Sequence, residues 1–511
     1  MSTSATISLW EDVDRPAYPD PLPPSGHVEV LVVGAGLTGL TTALLLARAG
    51  VEVAVVEARR VGAGTTGSST AKVSLVQGTK VSRISSVHPL RVVRAYLEAN
   101  REGQGWIREF CEDHDVPVAA RPAATYAAAA SEVRAVRDEH AALRQVGVDV
   151  RWSDSLDVPF EVHGATVLED QLQLDPMDLV HALAAQLRGH GGTLHEGHRV
   201  RQVERGDLVR VRLADGSTLT ADRVVIATGA PGLSSWLWAA KTSPKRSYLL
   251  ALENVEPVPG MFLSAGRSAR SVRTGAPRPG PHVMLVGGSG HAVGRVESEA
   301  EHLDELRGWA HRHFPGAVET HAWSAQDYGT PDELPMFGPV PGTDERVLLG
   351  TGYDKWGMTN AVAAARSISA TMLGRPASWS DALRERPLSA RSVASLARQG
   401  LFAGAVQVKG LIDAELHALP DDVPEGSGTV GRSGVRPTGL SHVDGAVCTV
   451  SAVCTHMGGI LSWNDQEHSW DCPLHGSRFD AAGEVIEGPA TKPLATSSSD
   501  HQPAGNGRPS A

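Results

Sequence analysis

Cysteine and histidine crowd into one short stretch near the end of this 511-residue chain: Cys454-Thr455-His456 and, fifteen residues on, Cys472-Pro473-Leu474-His475. Thiolates and imidazoles spaced as C-x-H and C-x2-H are metal ligands, and two short loops can bring four of them to one place. The chain has four cysteines in all, which cannot make a disulfide framework, and Cys111 stands far from the rest. Cys448, in Val447-Cys448-Thr449-Val450, reads as a buried strand residue rather than a ligand. The pattern predicts a small metal-binding module at the C-terminus.

A second constellation lies near the start. Gly34-Ala35-Gly36-Leu37-Thr38-Gly39 follows the apolar run Val28–Val33 and opens the helical pattern Leu37–Arg48. Glu57 ends the next apolar run, Val51–Val56, 18 residues beyond Gly39. In a dinucleotide fold Gly34 permits the tight turn, Gly36 admits the pyrophosphate and Gly39 lets helix and strand pack closely. Phosphate charge then rests on the helix N-terminus while Glu57 accepts from the ribose hydroxyls. A glycine-rich turn without a ligand would not need the acid at that distance.

Two other patterns carry less. Gly287-Gly288-Ser289-Gly290 follows the strand-like run His282–Val286, but it lacks the third glycine and a following acidic strand end. His190, His195 and His198 span a helix end, a turn and a strand start, and Leu187 stands where an iron site would want a carboxylate.

The elements that must position these residues alternate strand and helix. Two nearly continuous apolar strands around one helix make a βαβ unit in a parallel sheet. Amphipathic helical patterns cover Val87–His114, Glu132–Arg144, Met177–Leu187 (with Asp175-Pro176 as N-cap and first turn), Glu297–Phe314 and Thr359–Leu373. Strand patterns cover Val200–Val203, Val209–Leu213, Arg223–Ala227 and Tyr248–Leu252. Residues 1–26, with five prolines and few apolar anchors, predict an extended arm; 27–374 form the main body; 375–428 are a helical segment and linker; 429–495 are a small all-β domain; 496–511 form a disordered tail.

Lys and Arg total 47 against 58 Asp and Glu, a net charge of −11, which argues against a nucleic-acid binder. No run of 18 apolar residues marks a membrane span, and Met1–Trp10 has no signal-peptide pattern, so a cytoplasmic protein is expected.

Beyond Glu57 the small-residue run Gly62–Lys72 could lie against a bulky planar cofactor, and Arg223–Gly229 is a strand ending in Ala-Thr-Gly. With Thr330–Pro335 and Gly350–Thr359, these features make residues 28–374 resemble the D-amino-acid-oxidase-like flavoproteins (glycine and sarcosine oxidases, D-amino-acid dehydrogenases). The resemblance implies an α/β Rossmann-like FAD-binding domain, mainly 27–82, 160–235 and 330–374, with an α+β substrate domain, mainly 83–159 and 236–329. It implies FAD contacts at Gly34, Ala35, Gly36, Gly39, Glu57, Gly64, Thr65, Thr66, Val200, Gly229, Gly357, Met358 and Thr359. Lys355 matches the position that holds a substrate carboxylate, and Lys72 falls where relatives place a basic residue beside the flavin. A solvated surface charge is the alternative for each lysine, and no His or Tyr can be assigned as a base.

The C-terminal pattern, with Gly458-Gly459, Gly476–Asp480 and Gly488-Pro489-Ala490 around it, resembles the Rieske [2Fe–2S] family. The resemblance implies Cys454 and Cys472 on one iron, His456 and His475 on the other. Tetrahedral zinc also accepts two Cys and two His, but the flanking residues favour the cluster. Gly459 and Leu474 stand where respiratory Rieske proteins carry a disulfide. Ser477 matches a serine that donates to a cluster sulfur, and Phe479 replaces a tyrosine donor, so an intermediate potential is expected.

Together the two resemblances imply a flavin enzyme that oxidises a C–N bond of an amine or amino acid by hydride transfer to FAD. Electrons would pass singly to the cluster and on to an external one-electron acceptor. Two alternatives stay open: electrons enter through the cluster and the flavin reduces or hydroxylates a substrate, or the chain is a non-enzymatic electron-transfer or redox-sensing module.

Overall fold

The computed structural model describes residues 7–233, 236–239, 241–275, 282–386, 417–434 and 436–496, with 400, 404, 405, 407–410 and 412 between. The predicted tail beyond Thr496 lies outside the described residues, as does most of the predicted helical segment after 386.

The strands His27–Val33 and Val53–Val56 are apolar on both faces because helices cover one face of their sheet and the strands Val200–Glu204 and Val209–Leu213 pack on the other. That sheet has eight strands. Its parallel core runs Val347–Thr351, Thr218–Gly229, His27–Val33, Val53–Val56 and Thr193–His195, with Met336–Pro339 antiparallel at one edge and two strands, Val200–Glu204 and Val209–Leu213, off Thr218–Gly229. The helix Leu37–Arg48 lies between this sheet and the helices Gly357–Met372 and Pro176–Gly189. Leu40 and Leu44 on it are fully buried, each contributing ~1.5–3 kcal/mol by leaving water. Asp175 caps Pro176–Gly189 by accepting from the Met177 amide, as its sequence predicts.

A second, mostly antiparallel sheet of nine strands forms the other half of the body. Its strand Ser243–Glu253 pairs with Met284–Ala292 on one side and Val318–Gly329 on the other. Gly287–Gly290 lies within Met284–Ala292 and forms no nucleotide loop. The C-terminal domain is two small antiparallel sheets, Ser427–Ser433, Arg436–Val443 and Ala446–Ser451, then Ser462–Asn464, Ser469–Asp471, Arg478–Asp480 and Val485–Glu487.

Three expectations change. The helix expected over Val87–His114 runs Leu90–Asp113, and a separate helix that was not expected, Lys80–Val87, precedes it, because His88 and Pro89 are extended between the two. The described part of the N-terminal arm is anchored: Trp10 is fully buried with its indole N–H on the Ser69 carbonyl, and Arg15 pairs with Asp175 at 2.8 Å and Asp178 at 2.7 Å. Residues 417–428, read as linker, pack on the small β domain, where Gly426 N donates to His442 O at 2.7 Å and the first strand starts at Ser427.

Candidate functional site

The C-terminal ends of the parallel strands open into a cavity of about 640 Å³, within the range of cofactor sites. Gly34 and Gly36 line it where His27–Val33 gives way to the helix. Gly34 has φ +108°, and a Cβ there would stand 2.6 Å from Ala227 O. At Gly39 a Cβ would stand 1.9 Å from Gly34 O, so the helix can approach the turn this closely only without a side chain. Gly36 caps the helix without a side-chain bond, and the first turn holds no acid, which leaves its positive end open to an anion. Glu57 accepts from the amides of Ala35 and Arg59, both at 2.9 Å, and keeps lone pairs toward the cavity it lines. Gly64, Thr65, Thr66, Val200, Gly229, Gly357 and Met358 line the same cavity. Thr66 Oγ1 accepts from the Leu37 amide at 3.3 Å. Ala35 and Gly39 support the turn from behind; Thr359 is buried away from the lining, donating to Asn100 at 2.5 Å and accepting from Gln77. These donors, the acid and the glycine cradle fit the adenosine diphosphate half of FAD.

Toward the other end stand the two lysines. Lys72 donates to Ser271 Oγ at 2.5 Å; burial, with Arg273 nearby, brings its ammonium down to about 7. Lys355 reaches into the cavity and donates to Ser247 Oγ at 2.7 Å. Its side chain faces the cavity with protein around it, and burial together with Lys245 lowers its pKa. Asp354 and Lys355 both adopt left-handed backbone, at φ 48° and 71°. The turn is pinned because Asp327 accepts from the Lys355 amide, while Asp354 accepts from Lys80 and Lys245, both at 2.7 Å. Burial pushes the Asp354 carboxyl up, but Lys80 and Lys245 outweigh it and hold the group well below the usual range.

The four metal-ligand candidates come together as two pairs. Cys454 and Cys472 are hydrogen-bonded to each other, and the rings of His456 and His475 meet edge to face at 5.2 Å. The Cys454 thiol is brought down to about 7, first by the bond from Cys472, with the His456 amide and Ser477 also donating. The amides of Leu474 and His475 point at Cys472. Burial lowers both imidazoles, His475 to about 4, which favours the neutral, ligating form. Nε2 of His456 and Nδ1 of His475 are buried without partners. Among the described residues no group of three or more Cys, His, Asp or Glu converges on a single-ion site. Two ligands per iron is the demand of a Rieske cluster, and donors aimed at the sulfurs suit its negative charge. Gly459 faces Leu474, with room at 2.9 Å for no more than a hydrogen, and Phe479 is fully buried without a hydroxyl to donate. Cys448 is half-buried on Ala446–Ser451, more open than its sequence predicts.

The cavity has a wall that the motifs do not announce. Residues Ile486 to Thr491 of the C-terminal domain line it, beside Arg199 and Gly232 of the body. Arg83, Lys245, Ser247 and Asp327 also line it. The alternation of Ser243–Glu253 identifies a strand but not which face meets a cofactor. Gly488-Pro489-Ala490 is visible in the sequence only as a cluster-flanking loop.

The family model described as FAD dependent oxidoreductase (DAO) matches residues 29–371, and that of the Rieske [2Fe-2S] domain matches residues 416–498. The Bacillus subtilis protein YhfW, whose name describes a Rieske 2Fe-2S iron-sulfur protein, is 30% identical over 512 residues, covering 97% of this chain and 98% of that one. The cytochrome b6-f complex iron-sulfur subunit 1 of Nostoc sp. is 52% identical over 48 residues, 9% of this chain and 27% of that subunit. Glycine oxidase from Geobacillus kaustophilus superposes with a TM-score of 0.59 at 18% identity, over 69% of this chain and 96% of that one, which is a likeness of fold.

Proposed function

Since this chain belongs to the FAD dependent oxidoreductase (DAO) family and ends in a Rieske [2Fe-2S] domain, we propose that it is a dehydrogenase of amines or amino acids that discharges its flavin through its own cluster. The observation that carries the proposal is the single cavity bounded both by the dinucleotide turn and by Ile486–Thr491 of the Rieske domain. Bound FAD supplies the hydride acceptor, and the cluster supplies a one-electron exit.

The chain's own residues do the rest. Gly34, Gly36 and the helix N-terminus bind the pyrophosphate, and Glu57 and Val200 hold the adenosine end. Cys454, His456, Cys472 and His475 hold the cluster, and Ser477 donates to its sulfur side. Lys355, fixed by Ser247 and the Asp327-bound turn, anchors a substrate carboxylate. Lys72, with a pKa near 7, takes the ammonium proton, so that the amine presents its free base for oxidation. A cavity of about 640 Å³ lined by Lys72 and Lys355 supports an enzyme over a bare electron-transfer module. Cys111 and Cys448, the two cysteines outside the cluster motif, form no disulfide, which suits the reducing cytoplasm in which we place the protein.

The test is an anaerobic titration of the holoprotein with a panel of amino acids and N-methylated amines, followed by visible absorbance and EPR. Flavin bleaching and then a Rieske EPR signal is the expected result. No bleaching with any amine, together with rapid reduction of cluster and then flavin by reduced ferredoxin, would reverse the direction of flow.

A further inference from the structure

We propose that the Rieske domain is a fixed wall of the flavin cavity, locked to the flavoprotein body through turnover by the buried Arg246 network, and not a head that swings between flavin and redox partner. This rests on the reading above only in requiring electrons to pass between the two cofactors, in either direction.

The lock crosses the seam with charge. Arg246, on Ser243–Glu253, is fully buried; its guanidinium donates to Asp471 Oδ2 at 3.0 Å, to Glu467, to Ser324 Oγ at 2.9 Å and to Gln326 Oε1 at 3.2 Å. Asp471 is also fully buried, one residue before the ligand Cys472, and accepts further from Asn464, Ser469 and Arg478. Moving the domain away would leave a guanidinium and carboxylates to be rehydrated one by one, and a half-broken buried network is the costly state.

The second cluster loop is seated on the body as well. Pro473 O accepts from Arg295 at 2.9 Å, and Gly476 O accepts from Gln326 at 2.7 Å. Asp465 caps the helix Glu299–His313 by accepting from Ser298 Oγ at 2.6 Å and from the Glu299 and Ala300 amides at 2.9 and 3.1 Å. Backbones touch at glycines: a Cβ at Gly476 would lie 2.5 Å from Pro244 Cβ, and one at Gly232 would lie 2.8 Å from Pro489 Cβ. Contacts this close leave no water layer on which the domain could slide.

A fixed cluster divides the electron path. With FAD and the cluster bound, the flavin would give up its two electrons one at a time and its protons to solvent, and the cluster held by Cys454, His456, Cys472 and His475 would relay each electron to a one-electron carrier protein. The carrier must then come to the side the body leaves open, where Thr455 and Met457 of the first cluster loop are exposed.

The experiment joins domain to body in the holoprotein with a Ser298→Cys/Asp465→Cys pair, oxidised to a disulfide and checked on a non-reducing gel. The flavin is photoreduced anaerobically with deazaflavin, and cluster reduction and onward transfer to cytochrome c are timed. The lock predicts rates within twofold of the same variant with its disulfide reduced; a tenfold slowing of either transfer in the crosslinked form overturns it. Arg246→Met should raise hydrogen exchange over 486–491 and slow flavin-to-cluster transfer at least tenfold, with Arg246→Lys partly restoring both; no change in either also overturns it. Should Arg246→Met fail to fold, the crosslink still decides. No amine is used, so failure of the dehydrogenase reading leaves these outcomes standing, whereas absence of any transfer in the unmodified protein overturns both.

Discussion

The four candidate cluster ligands lie within the 22 residues from Cys454 to His475, while the cavity with the dinucleotide turn draws its wall from loops between Val33 and Ala361 and closes it with Ile486–Thr491. The first site is local: two loops and a short strand pair bring its donors together, and Ser477 and the loop amides already aim at the sulfurs. The second is distributed, so each wall residue depends on a different crossing of the chain. A local site can be lost without harming its neighbour, and a distributed one is lost where the backbone itself must pass.

That contrast is broken most severely by a matched pair of variants. Gly39→Val puts side-chain atoms into the Gly34 carbonyl, so the purified protein should lose essentially all bound flavin absorbance and keep its Rieske EPR signal. Cys472→Ala should do the opposite. Loss of both cofactors in either variant would mean that the sites do not assemble independently.

Within the flavin site, Lys355→Met removes one charge-assisted contact worth ~1.5–3 kcal/mol, which corresponds to roughly 10- to 150-fold in kcat/KM for a carboxylate-bearing substrate, expressed mainly in KM. An equal effect on amines lacking a carboxylate would contradict the anchoring role.

Lys72 sharpens the comparison through pH. With its pKa near 7, the neutral lysine that can accept a proton appears as pH rises through that value, so the rate of flavin reduction should climb from pH 6 to 8 and level off. Lys72→Met should be about tenfold slower at pH 8 and flat across the range. A variant that keeps the wild-type profile would assign the titration elsewhere.

At the seam the effect is on stability rather than on rate. Glu299 is 1% exposed with neither carboxylate oxygen bonded, and burial, then Asp471, pushes it up to about 8. Its folded pKa lies above its unfolded value of 4.5, so the acid costs nothing below about pH 4.5 and its penalty is complete by about pH 8, at most about 5 kcal/mol. Glu299→Gln should therefore melt like the wild type at pH 4.5 and higher than it at pH 8. A pH-independent difference in Tm would show that the carboxyl does not titrate there.

Much of this was legible in residue order. The dinucleotide turn, Glu57 and the four candidate cluster ligands are spacing motifs within a few elements, and the structure places Cys454 beside Cys472 and His456 beside His475. Thr359 was harder to place: it follows two cavity-lining residues, but the helical turn sends it to Asn100 and Gln77. Trp10 and Tyr18 were visible as the arm's only large rings, yet their burial depends on a groove formed by segments that lie far off in the chain. Arg246 resembles any charged residue on a strand, and only its two carboxylate partners, more than 200 residues later, make it a lock.

Residue order alone determined the chemistry available: a glycine turn that tolerates no side chain, an acid at the next strand end, and thiols and imidazoles in paired loops. Each is a property of neighbouring residues, where covalent geometry and hydrogen bonding act over a few ångströms. The tertiary structure decided that Ile486–Thr491 of the C-terminal domain line the dinucleotide cavity, which lysines face it, and that Arg246 meets Asp471 across the seam. Those depend on burial, which strips water from Arg246, Asp471 and Lys72 and makes their partners decisive. Burial is a property of the whole packed chain and is written in no single stretch of it.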